Sequence, residues 1–316
     1  MATQWLRRAW LLAACASSLM LAACGGGSIE SQLHPTRIVA FGDAFADLGQ
    51  NGARYTVNDG SVNNWTQFVA NAFNVPLAPS ASGGTSYARG TARVVAKPDA
   101  SGNAATLTVK EQIDTFLAAQ KFAATDLVIV NAGIADVTVQ AQAAITGAQT
   151  RDQMLTNVGQ AGRDLGTQLR RLVSAGASHV VVVGPYNLGR SPWALQLKQE
   201  SLLHDASSRF NEQMLVSVVD LGANVLYVDA ALYLNLVSSA PTGYEFNNAT
   251  EVLCNSIDAG AGIGTGTGQV NSNLCNSSTL ASTDPKRTMW ADRIYPTPLT
   301  HRLFGEYAHN RIKERW

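Results

Sequence analysis

The sequence predicts an α/β fold, a three-layer α/β/α sandwich built on a mostly parallel sheet. Three observations carry this. Short continuous apolar runs occur at residues 37–41, 126–130 and 178–183, and each stops at a turn containing Gly or Asn. Runs of this length and evenness suit strands buried on both faces, as parallel strands are. Amphipathic or long helical patterns at 109–119 and 154–175 separate the runs. Helix between successive strands is the pattern of βαβ units, whose crossovers are right-handed.

The elements follow in order. Strand one spans 34–41, with its apolar part at 37–41, and breaks at Gly42-Asp43. In an open parallel sheet the site lies at the carboxyl ends of the strands, so this turn is the first place to look for chemistry. Residues 51–61 are polar and contain the turn Asn58-Asp59-Gly60. At 65–73, Trp65, Phe68, Val69 and Ala72 share a helical face. Val109, Ile113, Phe116 and Leu117 do the same at 109–119. Strand two enters a turn at Asn131-Ala132-Gly133, and strand three ends at Gly184-Pro185. A helix at 201–221, a fourth strand at 224–229 and a final helix at 299–312 complete the regular elements. Residues 244–283 read as a long Gly/Ser/Asn-rich loop, nearly low-complexity at 260–268, to which no element is assigned.

The chain has 316 residues, 46% hydrophobic and 15% charged, ample for one sizeable core. Its formal net charge is zero, and no basic patch with interleaved aromatics suggests nucleic acid. The first residues read as a targeting segment: Arg7 and Arg8, an apolar stretch at 10–21, then Leu21-Ala22-Ala23-Cys24. That last tetrapeptide resembles a bacterial lipobox, which implies lipidation of Cys24, and an ordinary secretory signal is the alternative. The expected organisation is a signal peptide at 1–24, a flexible Gly/Ser tether at 25–36 and one domain at 37–316. No Asp follows Cys24, which by the same resemblance favours the outer membrane. Cys254 and Cys275 remain in the exported part, and an oxidising compartment argues a disulfide between them. No His or Cys pair has metal-ligand spacing, and no cofactor or metal is expected. The sequence sets no oligomeric state.

Four blocks, taken together and in order, resemble the GDSL (SGNH) hydrolases. Gly42-Asp43-Ala44-Phe45-Ala46-Asp47 is similar to the block in which a serine follows Gly-Asp. Gly83-Gly84-Thr85-Ser86-Tyr87-Ala88-Arg89-Gly90 is similar to the second block, Gly133-Ile134-Ala135-Asp136 stands in place of the third, and Asp292-Arg293-Ile294-Tyr295-Pro296-Thr297 stands in place of the last. The resemblance spans roughly residues 37–312. It implies ester hydrolysis, with lipids or acylated glycans as the substrate class. It also implies roles by position: nucleophile at 44, oxyanion N–H donors at Gly90 and 135, catalytic acid at Asp292 and catalytic histidine at 295.

At three of these positions the chemistry is missing. Ala44 has a methyl group where a hydroxyl must attack. Ala135 has no side-chain donor, a loss worth about 100- to 1000-fold in other hydrolases. Tyr295 offers a phenol with a pKa near 10, a poor base at neutral pH. The expectation is therefore a family member without working chemistry, one that holds an acyl-ester or glycan ligand in the old cleft. The alternatives are an active esterase with a rearranged site, using His301 and Tyr295 or Ser86, and a Ser→Ala exchange at 44, which leaves Ala135 and Tyr295 unexplained. Asp43 is expected to hydrogen-bond its own turn, Asp136 to cap the following helix, and His301, His179 and His204 to be structural.

Overall fold

A computed structural model describes residues 32–281 and 287–316. The targeting segment and Cys24 lie outside them. Four strands form a parallel sheet in the order β1 (Arg37–Gly42), β2 (Asp126–Asn131), β3 (His179–Val183), β4 (Val225–Tyr227). Residues 85–87 add a rudimentary fifth strand beyond β1: the Ala40 N–H donates to Thr85 O at 3.0 Å, and the Tyr87 N–H donates to Ala40 O at 2.6 Å. Nothing in the apolar pattern announced this edge, because only three residues form it. At the amino end of the β1–β2 register, Arg37 and Asp126 face each other and pair through two contacts of 3.0 and 2.5 Å.

Helices cover both faces. On one side lie α2 (Val109–Ala119), α3 (Ile134–Ile145), α4 (Arg151–Ser174) and α6 (Glu200–Ser217). The other side carries α1 (Trp65–Ala72), α7 (Ala230–Ser239) and α8 (Pro298–Arg315), with the short α5 (Pro192–Leu197) between β3 and α6. The tightest helix pair is α4 on α6. A Cβ at Gly162 would stand 2.3 Å from Phe210 O, and one at Gly166 would stand 2.4 Å from Ser217 Cβ. Those glycines let two backbones approach where any side chain would force them apart. Capping boxes set two helix starts, Thr108 with Glu111 and Thr150 with Gln153.

Several boundaries differ from expectation. Strand one begins at Arg37, because His34–Thr36 form no ladder with β2. Residues 32–36, expected as part of the tether, lie against the domain: the Gln32 and Leu33 N–H groups both donate to Trp316 O, and Leu33 is buried. Residues 244–283 are not featureless. They hold β5 (Asn248–Val252), paired with β8 (Thr288–Trp290), and the two-residue strands β6 (Ile257–Asp258) and β7 (Gln269–Val270). Polar and Gly-rich composition hid them, since pairs this short have no apolar period to read.

Cys254 and Cys275 are joined as a disulfide, and both are buried in a small satellite core with Val57, Leu253 and Ala291. The bridge closes a loop with a sequence separation of 21. Replacing both cysteines by serine is expected to cost roughly 3 kcal/mol in chemical unfolding, on the chain-entropy account.

Candidate active site

The site is built where β1 and β2 end. Gly42 closes β1 at φ +152°, and a Cβ there would stand 2.0 Å from Asn131 O. Its N–H and C=O are both held by one buried side chain: Gln112 Oε1 accepts from Gly42 N at 2.8 Å, and Gln112 Nε2 donates to Gly42 O at 2.9 Å. Gln112 sits on the buried face of α2, between Val109 and Phe116. A polar residue at a core-facing position was the available signal for this positioning role, and sequence reasoning passed over it.

Asp43 ties two blocks together. Its carboxylate accepts from the Phe45 N–H at 3.2 Å and from the Ile134 N–H at 3.0 Å, so it joins its own turn to the start of α3. Burial pushes its pKa up to about 7 against the pull of these N–H donors. Asp136 does not cap its helix. It accepts from the Val94 N–H at 2.8 Å and pairs with Arg93 at 3.1 Å, holding the segment that follows Gly90. The helix instead begins at Gly133 in the left-handed region, with no side-chain cap.

Asp292 serves its own loop. One carboxylate oxygen accepts from the Ile294 N–H at 2.8 Å and the Tyr295 N–H at 2.6 Å, and the other accepts from the Ser272 N–H at 3.0 Å. Its acceptors are directed at backbone, and no imidazole is among its partners in the described residues. The Gly90 N–H, assigned by resemblance to an oxyanion, donates to Asp47 Oδ2 at 2.7 Å and is not free to meet a substrate oxygen. Asp47 Oδ1 takes the Gly49 and Gln50 N–H groups as well.

The positions 44, 135, 292 and 295 are all sealed, none more than 1% exposed. Tyr295 is packed into the main core. Its ring meets Tyr55 edge-on at 5.3 Å, and burial drives its pKa far above the ordinary phenol range. Tyr55 in turn packs against Gly90, where an added Cβ would stand 2.1 Å from its ring. Two aromatic rings thus plug the region between the family's histidine and oxyanion positions. Tyr55 comes from the polar stretch after the first block and had no motif to mark it. Behind the plug, Tyr186 donates to Ile294 O at 2.7 Å and packs edge-on against Phe45 at 5.3 Å.

His301 is placed for packing. Its Nδ1 accepts from the Trp65 N–H at 3.2 Å, its ring lies 4.8 Å from that of Phe45, and Nε2 has no partner among the described residues. Burial first, and the Arg54 charge second, lower its pKa to about 3. A base with a depressed pKa of this kind contributes stability above its unfolded value, near 6.5, and loses it as pH falls toward 3. Between pH 6 and 4 the natural chain should lose stability relative to His301→Asn by about 1.4 kcal/mol per pH unit, read by urea unfolding at each pH. Ser86, the other recruit considered, is buried, and its Oγ has no partner among the described residues. His179 stands at the start of β3 beside Trp316, at the amino ends of the strands, and His204 is exposed in the first turn of α6, beside Gly189 in the loop that leaves β3.

Beside the plug is an open pocket of about 440 Å³, reaching from Tyr55 and Gly90 to the loop at 99–107 and to Asn273. Its lining is mostly polar. Asp99 organises one wall, accepting from the Ser101 and Asn103 N–H groups and from the hydroxyls of Ser101, Thr91 and Thr106 at 2.6–2.9 Å.

An α/β/α sandwich with a Gly-Asp turn at the end of β1 and an Asp-x-x-x-Pro-Thr block opening the last helix defines the class of the GDSL hydrolases. The chain belongs to that family: the family model described as GDSL-like Lipase/Acylhydrolase matches residues 38–308. Two solved structures align over 89% of this chain and 98% of theirs, at 14% and 12% identity and TM-scores of 0.46 and 0.45. A comparison with curated proteins finds no match.

Proposed function

We propose that this chain is a non-hydrolytic member of the GDSL family, an exported lipoprotein that holds a ligand beside a closed catalytic position. The observation that carries the reading is the sealed Tyr295. By the resemblance, a family hydrolase needs a hydroxyl at 44, a base at 295 and a side-chain N–H donor at 135. Here a methyl, a buried phenol and a second methyl stand at those places, all out of contact with solvent. A rearranged triad around His301 has little support, since an imidazole with a pKa near 3 takes up no proton at neutral pH.

The anchoring part of the reading rests on Cys24 and its preceding apolar stretch. The described chain starts at the amino ends of the strands, where Gln32 meets Trp316, while the site lies at their carboxyl ends. Replacing Cys24 by Ala should move the protein from the membrane to the soluble fraction. The catalytic part is tested with p-nitrophenyl butyrate: the natural chain should stay at the rate of the buffer. Turnover at an enzyme-like rate would end the reading and make His301 the first residue to replace.

A further inference from the structure

We infer that the polar pocket beside the closed position binds an uncharged saccharide unit, with Tyr55 as its apolar wall and Arg89 as its principal hydrogen-bond donor. The inference rests on the non-hydrolytic reading only in that the ligand is held rather than cleaved.

The argument turns on which polar groups are spent and which are open. Asp99 already takes five donors from its own loop and from Thr91 and Thr106. Asp47 takes three backbone N–H groups. The acidic wall is thus saturated from within and has no acceptor in need of a ligand. Arg89 is the opposite case. It lines the pocket, and its Nε is buried without a hydrogen-bond partner among the described residues. Its Nε is closed off, but the outer nitrogens of the same guanidinium also have no hydrogen-bond partner among the described residues, and they are the donors open to an oxygen in the pocket.

Charge and surface then narrow the ligand. Two carboxylates, Asp47 and Asp99, line the same pocket as the guanidinium, and Asp47 already interacts with Arg89. A net anion would meet repulsion there, so a neutral oxygen acceptor fits better. An alkyl chain would have to desolvate polar walls for no return. Tyr55 is half-buried and lines the pocket, and its position against Gly90 is fixed. A fixed ring beside a donor, in a cavity of small-molecule size, suits a sugar, which has both C–H faces and hydroxyl acceptors.

The test is titration calorimetry of the purified chain with cellobiose, maltose, lactose and chitobiose, and with galacturonate and octanoate as anionic and alkyl controls. At least one neutral disaccharide should bind with a stoichiometry of one. Tyr55→Ala and Arg89→Gln should each weaken it at least tenfold, Tyr55→Phe should retain it, and the change Lys121→Ala, at an exposed site far from the pocket, should leave it unchanged. Circular dichroism of each variant separates lost binding from lost fold. Tighter binding of galacturonate or octanoate, no binding of any neutral sugar, or binding indifferent to both Tyr55→Ala and Arg89→Gln would overturn the inference. The two readings fail separately. Release of acetate from acetylated cellobiose by a sugar-binding chain would sink the non-hydrolytic reading alone, whereas silence toward sugars together with silence toward esters would sink this one alone.

Discussion

The variant Ala44→Ser, Ala135→Asn, Tyr295→His should hydrolyse p-nitrophenyl butyrate at least 100-fold faster than the natural chain. Each change supplies one element that the resemblance assigns to its position: a nucleophilic oxygen, a side-chain oxyanion donor and a base with a pKa near neutrality. The order of dependence is also set by the structure. Positions 44, 135 and 295 are all sealed in the core, so no single exchange supplies a complete site. Ala44→Ser alone should therefore stay silent, because its hydroxyl would be buried with no base beside it. Residues that act as a unit are strongly non-additive in hydrolases, and the gain should come only with the third change. Asp292 already stands three residues before position 295, and its existing bonds to the loop N–H groups fix the turn that would orient the new imidazole. If the triple variant folds and remains silent, the Gly90 N–H bound to Asp47 is the next obstacle to examine.

Tyr295→Ala should cost about 3–5 kcal/mol in urea unfolding, the range for removing a large aromatic from a packed interior. Tyr295 is 1% exposed, belongs to the main core and meets Tyr55 edge-on. Its removal leaves a cavity that its neighbours fill only in part. A cost below about 1 kcal/mol would mean that the ring is not packed as described.

The sheet was legible because its strands are continuous apolar runs with Gly or Asn at their ends, and 126–130 and 178–183 need no tertiary information to be read. The rest depended on contacts across the chain. The edge at 85–87 is too short to carry a pattern, and β5 to β8 pair across a Gly/Ser-rich stretch whose composition argues against strands. Asp136 reads as a helix cap from its position after Gly133, yet its partners are Arg93 and Val94, more than forty residues earlier. The four blocks that resemble the family place the candidate site, and the departures at 44, 135 and 295 from the groups that the resemblance assigns there are visible in the letters alone. Closure of the site was not. It depends on Tyr55, in a polar segment without motif, meeting both Gly90 and Tyr295. Gln112 shows the same limit: one polar residue on a buried helical face, whose purpose appears only when Gly42 is found against it.

The most direct measurement of the central claim is intact mass of the purified natural chain after prolonged exposure to an alkyl fluorophosphonate. With no hydroxyl at position 44 and no solvent path past Tyr295, the mass should be unchanged, while the triple variant should gain one phosphonyl group on the hydroxyl introduced at position 44. A stoichiometric adduct on the natural chain, mapped to Ser86 or any other hydroxyl near Asp292, would contradict the account.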